Sequence, residues 1–65
     1  MNIVLTKKEK QVLKWASEGK TAWETGKIMH ISESTVKFHL KNIYRNMSVT
    51  SKGQAIAFAL KNSLI

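Results

Sequence analysis

Apolar residues recur at helical spacing along most of the chain, and polar residues divide this recurrence into four segments. Each segment follows a Thr or a Ser, residue types whose hydroxyl caps the first turn of a helix. The pattern predicts helices over about 7–18, 22–29, 33–47 and 52–61. We therefore expect an all-α fold, a four-helix bundle that forms one domain over residues 1–65.

The first two helices begin with the same capping-box spacing, Thr6 to Glu9 and Thr21 to Glu24. Gly19 follows the first helix and suits the left-handed conformation that ends it. Glu9 also falls on the apolar side of its helix, where an unpaired carboxylate is costly. We expect Glu9 to pair with a cation as well as to cap the helix.

The second helix is short and leads into a turn over residues 30–32. The residues predicted to face inward are Ala22, Thr25, Gly26, Ile28 and Met29. Gly26 costs a helix about 1 kcal/mol relative to Ala, so we interpret it as a site of close approach. Trp23 and Lys27 are predicted to point outward, Ile31 into the core, and Ser32 to cap the third helix. A helix, a three-residue turn and a second helix form a helix-turn-helix.

The third helix separates its residues onto two faces. Its apolar stripe consists of Val36, Leu40, Ile43 and Met47. Its opposite side carries Ser34, Lys37, Phe38, Lys41 and Arg45. A large apolar side chain among cations is not needed for docking on the core and usually marks a contact surface. In the DNA major groove, Lys and Arg meet phosphates and guanine edges, and an apolar group meets a thymine methyl.

The fourth helix is apolar almost all round over residues 55–60. Ile56 or Phe58 can pack on the core, which leaves a side of small residues, Ala55 and Ala59. We predict that this side forms a two-fold contact with a second copy of the chain. The alternative is a helix that lies entirely within the core.

The charge balance favours an anionic partner. The chain carries eleven Lys plus Arg against four acidic residues, all of them Glu, for a net charge of +7. Such a balance suits nucleic acid, because cations neutralise phosphates and release counterions. The alternative is a surface whose lysines are simply solvated.

The sequence offers no recognisable catalytic or metal-binding set. It lacks Cys and Asp, so a zinc site and a Ser-His-Asp arrangement are not expected from His30 and His39. A Gly-rich phosphate loop is also absent, and we expect neither enzyme activity nor a cofactor. No segment has the length or apolarity of a membrane helix or of a signal peptide, which favours the cytoplasm.

These residues together resemble the LuxR-type helix-turn-helix domain of bacterial transcription regulators. The matching residues at the start are Leu5-Thr6, Glu9, Val12-Leu13 and Gly19. Those in the centre and at the end are Ile31-Ser32-Glu33, Thr35-Val36-Lys37, His39, Ile43, Ala55 to Ala59 and Leu64-Ile65. Lys20 to Glu24, with Phe38-His39, is similar to the acyl-homoserine-lactone quorum-sensing branch.

The resemblance implies sequence-specific binding of double-stranded DNA, with the third helix in the major groove and a dimer on an inverted repeat. The base-reading positions it implies are Lys37, Phe38 and Lys41. We expect Arg45, on or near the same face of the third helix, to contact bases as well. The phosphate contacts it implies are Lys20, Thr21, Ser34, Thr35, His39 and Lys52. It also implies a homodimer through the last helix, consistent with Ala55 and Ala59. The family's ligand or phosphorylation domain is absent from this chain, so the chain is expected to be either the domain that follows an N-terminal signal-binding domain or one of the family's short stand-alone members.

Two other functions compete with DNA binding. A protein-interaction module could use Trp23 and Phe38 to dock a regulatory domain or RNA polymerase. A membrane-surface binder would need long helices with a sustained basic face, and the predicted helices are short.

Overall fold

The computed structural model describes residues 3–65. Within them the chain forms helices α1 (Lys7–Ser17), α2 (Ala22–Met29), α3 (Glu33–Met47) and α4 (Lys52–Lys61), with no strand. These bounds confirm the all-α prediction to within a residue. The first two positions of the predicted domain lie outside the described residues. No helix in the described part of the chain is long and apolar enough to span a membrane.

The helices begin where hydroxyl side chains take up free backbone N–H groups. In α1 the Glu9 N–H donates to Thr6 Oγ1 at 3.1 Å, and the Thr6 N–H donates to Glu9 Oε1 at 2.9 Å. Thr21 and Glu24 repeat this arrangement at the start of α2, with distances of 3.0 and 2.8 Å. The start of each of the other two helices has a single hydroxyl cap. Both predicted capping boxes are therefore confirmed.

Glu9 itself is buried, with 7% of its surface exposed. Its carboxylate accepts the Thr6 N–H, and no cation lies within salt-bridge distance of it among residues 3–65. The expectation of a cation partner was wrong because the backbone of the cap supplies the hydrogen bond that the carboxylate needs.

Helix α3 lies at the centre of the bundle and packs against each of the other three helices. Its apolar stripe faces the core, in which Leu40 is half-buried and the other members are buried. The buried core cluster contains Leu5, Val12, Leu13, Val36, Ile43, Met47, Ala55 and Ala59. The opposite side of α3 therefore remains open to solvent.

The turn between α2 and α3 is held by close contact of backbone with backbone. His30 ends α2 in the left-handed conformation, with φ of 59°. The Ile31 N–H donates to the Gly26 carbonyl at 3.0 Å, and a Cβ on Gly26 would lie 2.6 Å from the Ile31 carbonyl oxygen. The predicted close approach at Gly26 is confirmed, and the group that approaches it is the turn. The inward placement of Ile28 was wrong, since it is 40% exposed.

Helix α4 faces the core with the side that the sequence analysis assigned to a second copy. Ala55 and Ala59 are both fully buried, with 0% exposure. Their methyl groups leave room for the α4 backbone to lie close to the core, while the bulkier Ile56 and Phe58 are half-buried at its sides. The assignment of Ala55 and Ala59 to a dimer interface was therefore wrong. The outward side of α4 includes Leu60, which is 60% exposed.

Candidate nucleic-acid interface

The outward face of α3 combines cations with one aromatic ring, as the sequence predicted. Phe38 is 61% exposed although it is a large apolar residue. Lys37, Lys41 and Arg45 are exposed along the same helix, as is Ser34 near its beginning. Because the opposite side of α3 is held in the core, this face is rigidly presented to solvent.

His39 lies beside Phe38 at the boundary between this face and the core. The two rings pack edge to face, with centroids 5.9 Å apart and planes at 63°. His39 is half-buried, and such aromatic pairs prefer this geometry. The Phe38 ring therefore has the His39 ring as a neighbour on one side and solvent over most of the rest of its surface.

Thr35 and Ser34 occupy different environments at the start of α3. The Thr35 N–H donates to Ser32 Oγ at 3.0 Å, and the two hydroxyl oxygens lie 2.9 Å apart. Thr35 is half-buried and belongs first to the helix cap, whereas Ser34 is exposed. Of these predicted phosphate contacts, Ser34 is the more accessible.

The starts of α2 and α4 are joined by one side chain. Lys52 Nζ donates to the backbone carbonyl oxygen of Lys20 at 3.0 Å. Three of the predicted phosphate contacts, Lys20, Thr21 and Lys52, therefore belong to one region, although they are far apart in the sequence. Two of them are lysines, so the region attracts anions.

This region also contains a carboxylate. Hydrogen bonds from Thr21 lower the pKa of Glu24 below its ordinary value of 4.5, and the charges of Lys20 and Lys52 lower it further. Glu24 is therefore ionised at neutral pH and opposes an anion at the start of α2. The first turn of α4 has no acidic residue, so its N–H groups and dipole are better placed to attract a phosphate.

The sequence analysis missed the residue that contacts Lys37. Lys37 Nζ lies 3.5 Å from Glu33 Oε2, one helical turn away on α3. The i, i+4 spacing of Glu and Lys in a predicted helix is a sufficient signal for such a pair. The candidate base-reading face therefore includes one negative charge.

The described residues offer no metal site. No group of three or more His, Cys, Asp or Glu side chains comes together between residues 3 and 65. The α3 face and the starts of α2 and α4 present cations, hydroxyl groups and the Phe38 ring, with the carboxylates of Glu24 and Glu33 among them.

Comparison with known proteins identifies the family. The model of "bacterial regulatory proteins, luxR family" matches residues 3–59. The chain is 48% identical to the transcriptional activator protein SolR of Ralstonia solanacearum over 64 residues, which is 98% of this chain and 27% of SolR. It is 44% identical to the transcriptional activator protein LuxR of Aliivibrio fischeri over 61 residues, 94% of this chain and 24% of LuxR.

A third relative is the HTH-type quorum sensing-dependent transcriptional regulator RpaR of Rhodopseudomonas palustris. It is 46% identical over 61 residues, which is 94% of this chain and 25% of RpaR. The chain thus spans about a quarter of the length of the curated relatives it matches. Since the family model covers nearly the whole chain, the protein belongs to the luxR family of bacterial regulatory proteins.

Proposed function

We propose that this chain is one DNA-binding domain, which binds duplex DNA sequence-specifically to regulate transcription. The observation that carries the proposal is the outward face of α3, where Phe38 is 61% exposed beside Lys37 and Lys41. A helix can enter the major groove of DNA, and there each base pair presents a distinct pattern of donors, acceptors and methyl groups. Helix α3 enters this groove, and α2 crosses the backbone above it.

Different side chains on α3 contact different groups of the bases. Lys37, Lys41 and Arg45 donate to guanine O6 and N7, the commonest specific contact in such grooves. Phe38 packs against a thymine methyl, beside the His39 ring that it contacts edge to face.

Phosphate contacts fix the position of the domain on the duplex. Lys52 and the α4 start bind one phosphate, and Lys20 and Thr21 bind the adjoining backbone beside them. Ser34, Thr35 and His39 contact phosphates from the α3 side. These groups carry no sequence information of their own but set the register of α3 in the groove.

The protein acts as a dimer on an inverted repeat, paired through the outward side of α4. That side carries Ala57 and Leu60, and Leu60 borders an apolar groove with Leu64 and Ile65. This replaces the contact first predicted at Ala55 and Ala59, whose side chains are inside the core.

The DNA-binding domain is one part of a larger regulator. The curated relatives are about four times as long as this chain, and one is named as quorum sensing-dependent. A signal-binding domain N-terminal to this one would respond to such a signal, and the regulator would act in the cytoplasm, where the chromosome lies. The function is binding and regulation, not catalysis.

The proposal is tested by the salt dependence of DNA binding. We expect about 4–8 phosphates to be neutralised per protomer, with a slope of log affinity against log salt of about −0.9 for each. Fluorescence anisotropy of a labelled duplex at three salt concentrations measures this slope. A flat response would contradict DNA binding.

The reading of bases is tested by comparing Lys41→Ala with Lys52→Ala. Loss of a base contact at Lys41 should cost about 1–3 kcal/mol and relax the preference at one base pair. Lys52→Ala should weaken binding to all sequences alike. Selection from a randomised duplex library measures both effects, and a uniform loss for both variants would make Lys41 a backbone contact.

A second candidate function is the docking of a regulatory domain or RNA polymerase through α2. Trp23 is 57% exposed, Lys27 Nζ lies 5.2 Å from the centroid of its ring, and Ile28 is 40% exposed. Exposed apolar side chains of this kind would bind a protein with little dependence on salt, so the same titrations distinguish this function from DNA binding.

A further inference from the structure

Three of the four acidic residues of the chain take part in a helix cap or end a helix, and the fourth, Glu33, does neither. Glu9 and Glu24 are held in capping boxes, and Glu18 ends α1 on the surface. In α3 the third helical position, where a capping box would have Glu, is Thr35, and its N–H donates to Ser32 Oγ. Glu33 is therefore outside the cap at the first position of α3.

The Glu33 carboxylate pairs with Lys37, with Nζ and Oε2 3.5 Å apart. Both side chains are well exposed, 46% for Glu33 and 66% for Lys37. Exposed pairs add little to folding stability because water screens them and the side chains lose freedom. A carboxylate at this place also repels DNA phosphates. Its charge therefore acts on DNA binding as well as on the first turn of α3, whose dipole favours a carboxylate.

We propose that Glu33 is a specificity-determining residue that weakens binding to non-cognate DNA by holding Lys37. This inference rests on the proposed DNA-binding function. On non-cognate DNA the affinity comes from phosphates, and Lys37 remains shared with Glu33, so one fewer phosphate is neutralised. At the cognate site Lys37 binds a guanine edge, and Glu33 accepts a hydrogen bond from the N4 amino group of a cytosine. The pair then separates while each of the two charged groups keeps a hydrogen-bond partner.

The test is Glu33→Gln, which keeps the size and shape of the side chain and removes its charge. Two duplexes are used, a heteropolymer with no preferred site and the sequence that the unaltered chain enriches from a randomised library. We expect affinity for the heteropolymer to rise roughly 5–10-fold at about 0.1 M salt, with a salt slope steeper by about one unit, as one more counterion is released. Affinity for the enriched duplex should rise less or fall, so the ratio of the two affinities decreases.

Glu18→Gln is the matched control, because it removes the same charge from an exposed position at the end of α1. If Glu33→Gln behaves like Glu18→Gln while the unaltered chain binds with a steep salt slope, the inference fails and the proposed function stands. If the unaltered chain shows no salt dependence, both fail together.

A second comparison tests whether Glu33 acts through Lys37. In a Lys37→Met background, Glu33→Gln should no longer steepen the salt slope. A full effect in that background would show that Glu33 repels phosphates directly and would overturn the role assigned to the pair. Circular dichroism of each variant verifies that the fold is retained.

Discussion

Gly26 and Gly53 both lie in helices, but a side chain would meet very different surroundings at the two positions. A Cβ at Gly26 would lie 2.6 Å from the Ile31 carbonyl oxygen and 3.4 Å from the Glu33 nitrogen. These are backbone atoms, so they cannot move aside as the end of a flexible side chain could. A Cβ at Gly53 would meet nothing within 4 Å.

We therefore expect opposite effects of Ala at these positions. Gly26→Ala gains about 1 kcal/mol in helix propensity but should lose more by overpacking, for a net destabilisation of about 1–3 kcal/mol. Gly53→Ala should stabilise by about 0.4–1 kcal/mol. Urea unfolding followed by circular dichroism measures both changes, and an equal gain at the two sites would show that the turn relaxes freely.

Single residues were predictable where one local rule decided their environment. Phe38 was placed outside by its helical phase alone, and Thr6 and Thr21 were placed by capping-box spacing. The same spacing predicted that Glu9 accepts the Thr6 N–H. Only the cation expected beside Glu9 was wrong, because this cap already satisfies the carboxylate. The Glu33–Lys37 pair follows the i, i+4 spacing of helices, so the sequence contained a sufficient signal for it.

Helix α4 shows where the sequence pattern stops being informative for an element. Its apolar residues cover nearly all of its circumference, so a helical wheel gives no direction toward the core. The side of α4 that faces the core is the side with the smallest residues. Helix α4 lies close to its neighbours along Ala55 and Ala59, both of which are fully buried. For α3, by contrast, the separation of the two faces was clear, and the orientation was predicted correctly.

The two sides of α4 should respond differently to a charge. Ala59→Glu places a carboxylate at a fully buried position, which should cost more than about 3 kcal/mol and unfold so small a domain. Ala57→Glu places the same group on the exposed side and should leave the helix content and melting temperature nearly unchanged. Thermal melts followed by circular dichroism compare them. A folded Ala59→Glu variant would show that α4 can rotate away from the core.

At the scale of the molecule, charge and association oppose each other. Each copy carries a net charge of +7, so two copies repel until DNA phosphates neutralise them. The outward side of α4 is also small, whereas stable specific interfaces usually bury more than about 1,000 Å². Pairing through α4 should therefore be weak in solution and appear on DNA as cooperative binding.

Leu60→Gln tests this pairing without altering charge. Leu60 is 60% exposed, so the substitution should preserve the fold and the affinity for a single half-site. Cooperative binding to a full inverted repeat should fall, as measured by gel shifts on the two duplexes. Val4→Gln, at an 83% exposed apolar residue outside the helices, is the control. Undiminished cooperativity in Leu60→Gln would place the contact between copies elsewhere.

The hydrogen bond from Lys52 to the Lys20 carbonyl has a consequence for operator spacing. This hydrogen bond connects the start of α4, the helix proposed to pair with a second copy, to the residue before the cap of α2. Helix α2 is the one proposed to cross the DNA backbone. Two paired copies would then hold their α3 helices at one separation and one relative rotation. Each base pair inserted between half-sites turns the second half-site by about 34–36° around the duplex axis. Binding of the paired copies would therefore depend on the number of base pairs between half-sites as strongly as on the half-site sequences.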